Sequence, residues 1–422
     1  MGFESARKLA DAVLLEGYVL YPYRASSTKN RFRWAFGVVA PRKWSEGGGC
    51  EEWWIETQCL LEKPLRLRGT LRFLHAEART VESPDGRALE SLDCGGRLLV
   101  PWDEGRVREI ELCDLLGSKA IPFSVEGDES VEEVRDGDGR LAGRLRKRVL
   151  PLRGVVRVRL EPVDADRPLL RLCVRVENES PCADASCTST CTSTTVPRDE
   201  ALRSSLIAAH LLLEAQGAGF LSLVDPPEWA APAAAACKQS RSWPVLAGPP
   251  GSRDTVLAAP IILYDHAAIA PESPADLFDN TEIDEILALR TMTLTDEEKR
   301  EARATDPRAR ALIDRVDSLP PEMMSKLHGA LRGLHRGEMV PKPAPRGCGI
   351  GKGARVRLRP PTRRTDAQDL LFAGRSATVE AVLRDDEDRE YLAVTIDDDP
   401  AAELHRWYGR FHYYRPDEVE PL

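Results

Sequence analysis

No run of apolar residues in this chain approaches the ~20 needed to cross a bilayer as a helix, so membrane insertion is not expected. The segment Met1 to Lys8 has no long apolar core behind it, and a secretory leader is not expected either. Positive charge is in deficit: 59 Lys and Arg face 68 Asp and Glu, a net charge of −9. A general nucleic-acid binder needs a basic face, and this balance argues against one. The chain has no Gly-x-Ser-x-Gly nucleophile elbow and no zincin helix. Ten cysteines among 422 residues do not make a disulfide framework. Reduced thiols in a cytoplasmic protein are the expectation.

A chain of 422 residues exceeds one compact core, and two to four domains are expected. The 31 prolines imply many turns and irregular connections. A helical pattern at Glu4–Leu15 is followed, to about Asn178, by strand signals. They fall at Tyr18–Tyr23, Trp34–Val39, Trp53–Leu61, Leu65–Leu74, Val107–Leu112, Val155–Leu160 and Leu169–Val176. Short strands broken by Gly, Pro and Asp turns suggest an antiparallel sandwich. A Ser/Thr/Cys-rich break at Ser180–Pro197 precedes an apparent amphipathic helix, Asp199–Ala215, with Leu202, Leu206, Ala209 and Leu213 on one face. Phe220–Val224 and Val256–Leu263 read as strands, Trp243–Leu246 as a further apolar run, and Ala230–Cys237 as a short helix. From Glu272 to Arg336 four helices are expected. Thr295-Asp-Glu-Glu298 supplies a capping box, Asp306-Pro307 a cap before a first-turn proline, and Pro320-Pro321-Glu322 the start of the fourth helix. Beyond a Pro/Gly linker, Ala354–Leu358, Ser376–Arg384, Glu390–Ile396 and Tyr408–Tyr414 read as strands of a small barrel. The expected architecture is a multidomain α+β protein. Residues 1–178 would form a β-rich sandwich-like domain, 199–336 a mixed α/β and helical region, and 353–422 an SH3-like β-barrel.

No motif assembles an active site, so the candidates are surfaces and one possible metal cluster. Arg24, Lys29, Arg31 and Arg33 alternate with Tyr21, Tyr23, Phe32 and Trp34, a mixture suited to gripping carboxylates through guanidinium forks. An acidic stretch carries Asp276, Asp279 and Glu282, which could dock a basic partner. In the last part, Asp397 and Asp398 stand near Trp407 and Tyr413, the acid-and-aromatic pairing of an SH3-like peptide groove. The metal alternative joins Asp254, Asp265, His266 and Glu272, carboxylates and an imidazole able to hold a cation. Cys182, Cys187 and Cys191 lack paired C-x2-C knuckles and read as loop thiols, and His210 with Glu214 lacks the second histidine of a zinc helix. No cofactor is required by these patterns, although a metal ion is compatible with the alternative.

Several segments together carry a resemblance. They are Leu15-Glu-Gly-Tyr-Val-Leu-Tyr-Pro-Tyr-Arg-Ala-Ser26, Phe220-Leu-Ser-Leu-Val-Asp-Pro-Pro227 and Trp243-Pro-Val-Leu-Ala-Gly248. The acidic run Glu272–Ile286, the Leu294–Lys299 box and the Asp397–Pro400 ending join them. The chain resembles uncharacterised bacterial proteins encoded beside uptake nickel–iron hydrogenases. The resemblance implies an accessory role, a non-enzymatic scaffold or assembly factor with a hydrogenase subunit as partner. It supplies no catalytic residues.

Overall fold

Seventeen consecutive residues, Arg66–Glu82, form one extended strand that is buried on both faces along most of its length. In the computed structural model, which describes residues 2–163, 167–181, 196–269, 284–318, 351–359, 374–384, 390–397 and 411–422, this strand lies in the first of two compact units. The units are Met1–Ala330 and Leu331–Leu422.

The first unit opens with helix α1 (Gly2–Leu15), an irregular segment to residue 41, and α2 (Arg42–Glu46). Strands β1 (Trp54–Glu62), β2 (Arg66–Glu82), β3 (Ala88–Leu89), β4 (Leu92–Cys94), β5 (Arg97–Leu99) and β6 (Trp102–Leu112) follow. Next come β7 (Lys119–Val125), β8 (Asp128–Arg135), β9 (Leu141–Val149), β10 (Leu152–Pro162) and β11 (Leu169–Asn178). After α3 (Arg198–Leu202) come β12 (Ile207–Gln216), β13 (Phe220–Leu221), α4 (Ala231–Ala235), β14 (Trp243–Leu246) and β15 (Thr255–Ala259). Helices α5 (Asp284–Met292), α6 (Asp296–Thr305) and α7 (Pro307–Asp317) complete its described part.

Two antiparallel sheets face each other. One runs β13-β1-β11-β10-β7, and the other β14-β15-β12-β2-β9-β8, with β3 and β6 also paired to β2. Inward side chains of both sheets fill one core, among them Ile55, Leu61, Leu71, Phe73, Val156, Val174, Leu211 and Val256. β2 changes neighbours along its length. On one edge it pairs with β12 through Arg66–Leu74 and then with β9 through Glu77–Glu82; on the other it pairs with β6 through Gly69–Arg79. Edge strand β7 carries Lys119 and Pro122, and edge strand β8 is almost wholly exposed and rich in Glu, both of which discourage edge-to-edge association.

Three sequence expectations are corrected. Residues 207–216 are a strand, not the second half of a helix. β12 lies between β15 and β2, and its apolar run is buried on both faces, so helical and extended burial patterns fit it equally well. Tyr18–Tyr23 and Trp34–Val39 are irregular rather than extended, because Gly17, Tyr23, Trp34 and Gly37 adopt left-handed backbone angles (φ of 67°, 64°, 59° and 59°). The strand expected at Val256–Leu263 stops at Ala259. The helix caps at Thr295 and Asp306 form as expected. The Cys182–Cys191 loop and the fourth helix lie outside the described residues.

The second unit contains one antiparallel sheet of β16 (Arg355–Leu358), β17 (Ser376–Arg384), β18 (Glu390–Ile396), β19 (His412–Tyr414) and β20 (Val419–Pro421), ordered β19-β18-β17-β16-β20. Val356, Leu358, Val379, Leu392, Val394 and Tyr414 form its core. Among the described residues no pairing closes this sheet into a barrel.

His75 on β2 and His210 on β12 are both fully buried. Burial is the main cause that pushes each imidazole from 6.5 down to about 4. Arg108 adds to it at His75, while the Ala208 carbonyl opposes it at His210. Below about pH 6.5 the unfolded chain takes up protons that the native protein refuses until about pH 4, so stability falls as pH drops through this window. The expected slope is about 1.4 kcal/mol per pH unit for each histidine. Urea titrations followed by tryptophan fluorescence should show a lower midpoint at pH 5 than at pH 7, and His210→Leu should roughly halve that difference.

Candidate functional site

Asn30 organises the irregular segment that follows α1. Its Oδ1 accepts the Leu20 amide at 2.6 Å, and its Nδ2 donates to the carbonyls of Leu20 (2.9 Å) and Arg24 (3.0 Å). One buried side chain thereby folds the chain back on itself. The next turn is held by the Trp34 amide, which donates to the Gly17 carbonyl at 3.0 Å. The Trp34 carbonyl in turn accepts from Arg198 at 3.0 Å. These bonds keep Trp34 left-handed, a conformation costing a bulky residue about 1–3 kcal/mol.

The resulting fold places Arg33 between two indoles. Its guanidinium carbon lies 4.0 Å from the Trp34 ring centroid and 3.7 Å from that of Trp102. Such stacking is worth about 2 kcal/mol or more per ring when water is excluded. Arg33 Nη2 donates to the Asp103 carbonyl at 2.6 Å, while the Asp103 carboxylate accepts two bonds from Arg203, at 3.1 and 3.2 Å. Burial pulls Arg33 below the ordinary guanidinium value to about 10, with Tyr18 and Asp103 opposing the shift, so it remains a cation at neutral pH.

Arg33 and both indoles line a cleft of about 280 Å³, together with Asn30, Arg79, Asp103, Asp199 and Arg203. The Arg79 guanidinium is committed within the wall: it donates to Glu104 and to the carbonyls of Val100, Ala304 and Thr305. Trp102 Nε1 donates to Asp306 at 3.3 Å, which ties this wall to the start of α7. Two buried donors are left over. Arg33 Nη1 and Trp34 Nε1 have no hydrogen-bond acceptor among the described residues.

The other sequence candidates are dispersed. Arg24 pairs with Glu298 at 3.0 Å, and Lys29 also has a partner. Asp254 accepts from Ser252 and Thr255, and Asp265 from Ser222 and from the Leu246 amide. The His266 ring meets the Gly248 carbonyl at 3.2 Å. Among the described residues no three His, Cys, Asp or Glu side chains come together as a cation site. In the second unit Asp397 accepts from Arg355 (2.9 Å) and Thr378 (2.7 Å), and Tyr413 is half exposed on β19. The side chain of Arg31, and residues Glu272, Asp276, Asp279, Glu282, Asp398 and Trp407, lie outside the described residues.

Sequence reasoning singled out Arg33 and Trp34 but missed Trp102, Asp103, Asp199 and Arg203. Their only local signal is the Trp102-Asp103-Glu104 group, an aromatic among acids. Comparison of the chain with protein-family models and with curated proteins returned no match.

Asp306 performs two tasks. It caps α7 by accepting the amides of Arg308 (2.7 Å) and Ala309 (3.0 Å), and it holds Trp102. Asp306→Ala should cost about 2–3 kcal/mol in urea unfolding, from a lost cap and an indole donor left unpaired. Asp306→Asn keeps a side-chain oxygen for the cap and should cost less than half as much.

Proposed function

We propose that this protein is a non-enzymatic accessory factor that binds another protein, with a nickel–iron hydrogenase subunit as the partner indicated by the resemblance described above. The observation that carries the binding role is a pinned apolar protrusion on the first unit. Ile262 and Tyr264 are 78% and 65% exposed on the loop after β15, and Val224 is exposed on the loop after β13. The Ser222 hydroxyl donates to the Asp265 carboxylate and also accepts the amides of Val224 and Asp225, which joins the two loops. The main chain of the second loop is anchored again where the His266 amide donates to the Leu246 carbonyl at 2.7 Å. Neighbouring Ile261, Leu263 and Ala267 turn inward onto the core.

Exposed aliphatic and aromatic anchors held on a rigid base suit protein recognition, because little side-chain and loop freedom remains to be lost on docking. Asp265 and His266 thus act in this reading as the fastening of a docking surface. The second unit is taken as an SH3-like barrel with Tyr413 near its groove, and the cytoplasm as the compartment.

The test is direct binding of the purified full-length protein to purified hydrogenase large and small subunits by biolayer interferometry. Saturable binding to one subunit, weakened at least tenfold by Ile262→Asp with Tyr264→Ser, is the expected result. Asp265→Ala should weaken binding by loosening both loops while leaving the far-ultraviolet dichroism unchanged. No binding to either subunit, or binding indifferent to these substitutions, would remove the support for this function.

A further inference from the structure

The two unused donors beside Asp103 have a shared meaning. Arg33 is nine-tenths buried and Trp34 is 2% exposed, so neither Nη1 nor Nε1 has ready access to bulk water. A buried donor without an acceptor costs about 1–3 kcal/mol, more when charged, and such groups are few in native proteins. These two belong to stacked groups in the wall of one cleft. The left-handed backbone at Trp34 adds a further local cost at the same place.

The chemistry of an acceptor that fits is restricted. The Trp34 and Trp102 rings both lie within 4.0 Å of the guanidinium carbon, so the guanidinium edge is the approach they leave for a ligand. In-plane approach is the geometry of a carboxylate accepting from arginine. Total charge matters as well. The Asp103 carboxylate is neutralised by Arg203. Asp199 lines the same cleft, is exposed at the start of α3, and lies near enough to act on the Arg33 charge without forming an ion pair among the described residues. A dianion would meet that negative charge, whereas a single carboxylate carries the smallest repulsion. The volume of about 280 Å³ admits a small organic acid and excludes a folded partner.

We propose that the cleft between Trp34 and Trp102 is a binding site for a small carboxylate-bearing molecule, whose carboxylate accepts from Arg33 Nη1 and the Trp34 indole N–H once the side chains covering these two donors give way. The site is separate from the Ile262–Tyr264 protrusion, and its existence does not depend on which protein, if any, docks there.

Isothermal titration of the full-length protein at pH 7 with sodium propionate, propionamide and inorganic phosphate tests the assignment. Propionate should bind saturably, while propionamide and phosphate should bind at least tenfold more weakly or not at all. Trp34→Phe preserves the stacking ring and deletes the donor, and it should weaken propionate about fivefold, the value of one lost hydrogen bond. Asp199→Asn lies on the exposed rim, leaves the fold intact, and should tighten propionate binding severalfold. No saturable propionate binding would overturn the proposal. So would equal binding of propionamide or tighter binding of phosphate, or an affinity unaffected by both substitutions.

Discussion

The most consequential interaction in the first unit is the clamp on the Arg33 guanidinium. Taking a cation out of water is expensive, and the protein offsets that cost with two indole faces and a backbone carbonyl. Each partner is in turn fixed by something else. Trp102 is fastened to the cap of α7, Trp34 to the turn at Gly17 and to Arg198, and the Asp103 side chain to Arg203 on the far side of α3. The irregular segment after α1, strand β6, and the helices α3 and α7 therefore meet around one charge. The clamp uses only part of the guanidinium's donor capacity, which turns a structural device into a candidate site.

The rest of the unit is arranged so that this meeting can occur. β2 is long enough to pair with β12 at one end and β9 at the other while keeping β6 along its opposite edge. That pairing sets Trp102 opposite Arg79, and Arg79 binds the last carbonyls of α6. The opposite side of β12 receives α1, where Arg72 on β2 links Asp11 of the helix to Glu109 of β6. Buried arginines thus recur as the connectors between helices and sheet, each reaching carboxylates or carbonyls that apolar side chains could not engage.

What the sequence made legible was local. The Thr295 capping box and the Asp306-Pro307 start are encoded within three or four residues, and both helices form. Strands β1, β10 and β11 were readable from alternation and β-branched content. β12 was not, because Ile207-Ala-Ala-His-Leu-Leu-Leu-Glu-Ala-Gln216 is apolar on every side, and leucine and alanine favour helix until a sheet claims them. The left-handed Trp34 was equally hidden, since a Trp-Ala-Phe-Gly-Val-Val run reads as extended unless its backbone bonds are known. Half of the candidate site escaped for a simpler reason. Arg33 meets Asp103 across 70 positions and Trp102 meets Asp306 across 204, separations that no spacing rule covers. Asp265 and His266, read from the sequence as possible metal ligands, instead hold a loop through hydrogen bonds to Ser222 and to the main chain at Leu246 and Gly248.

The central claim is that Arg33 is a buried, stacked cation with donor capacity to spare, and nitrogen-15 NMR of arginine side chains in the full-length protein tests it most directly. The account predicts an Arg33 guanidinium with slowly exchanging, ring-current-shifted protons, one set of which moves when propionate is added. A single averaged, fast-exchanging signal like that of a solvated arginine, unresponsive to propionate, would contradict it.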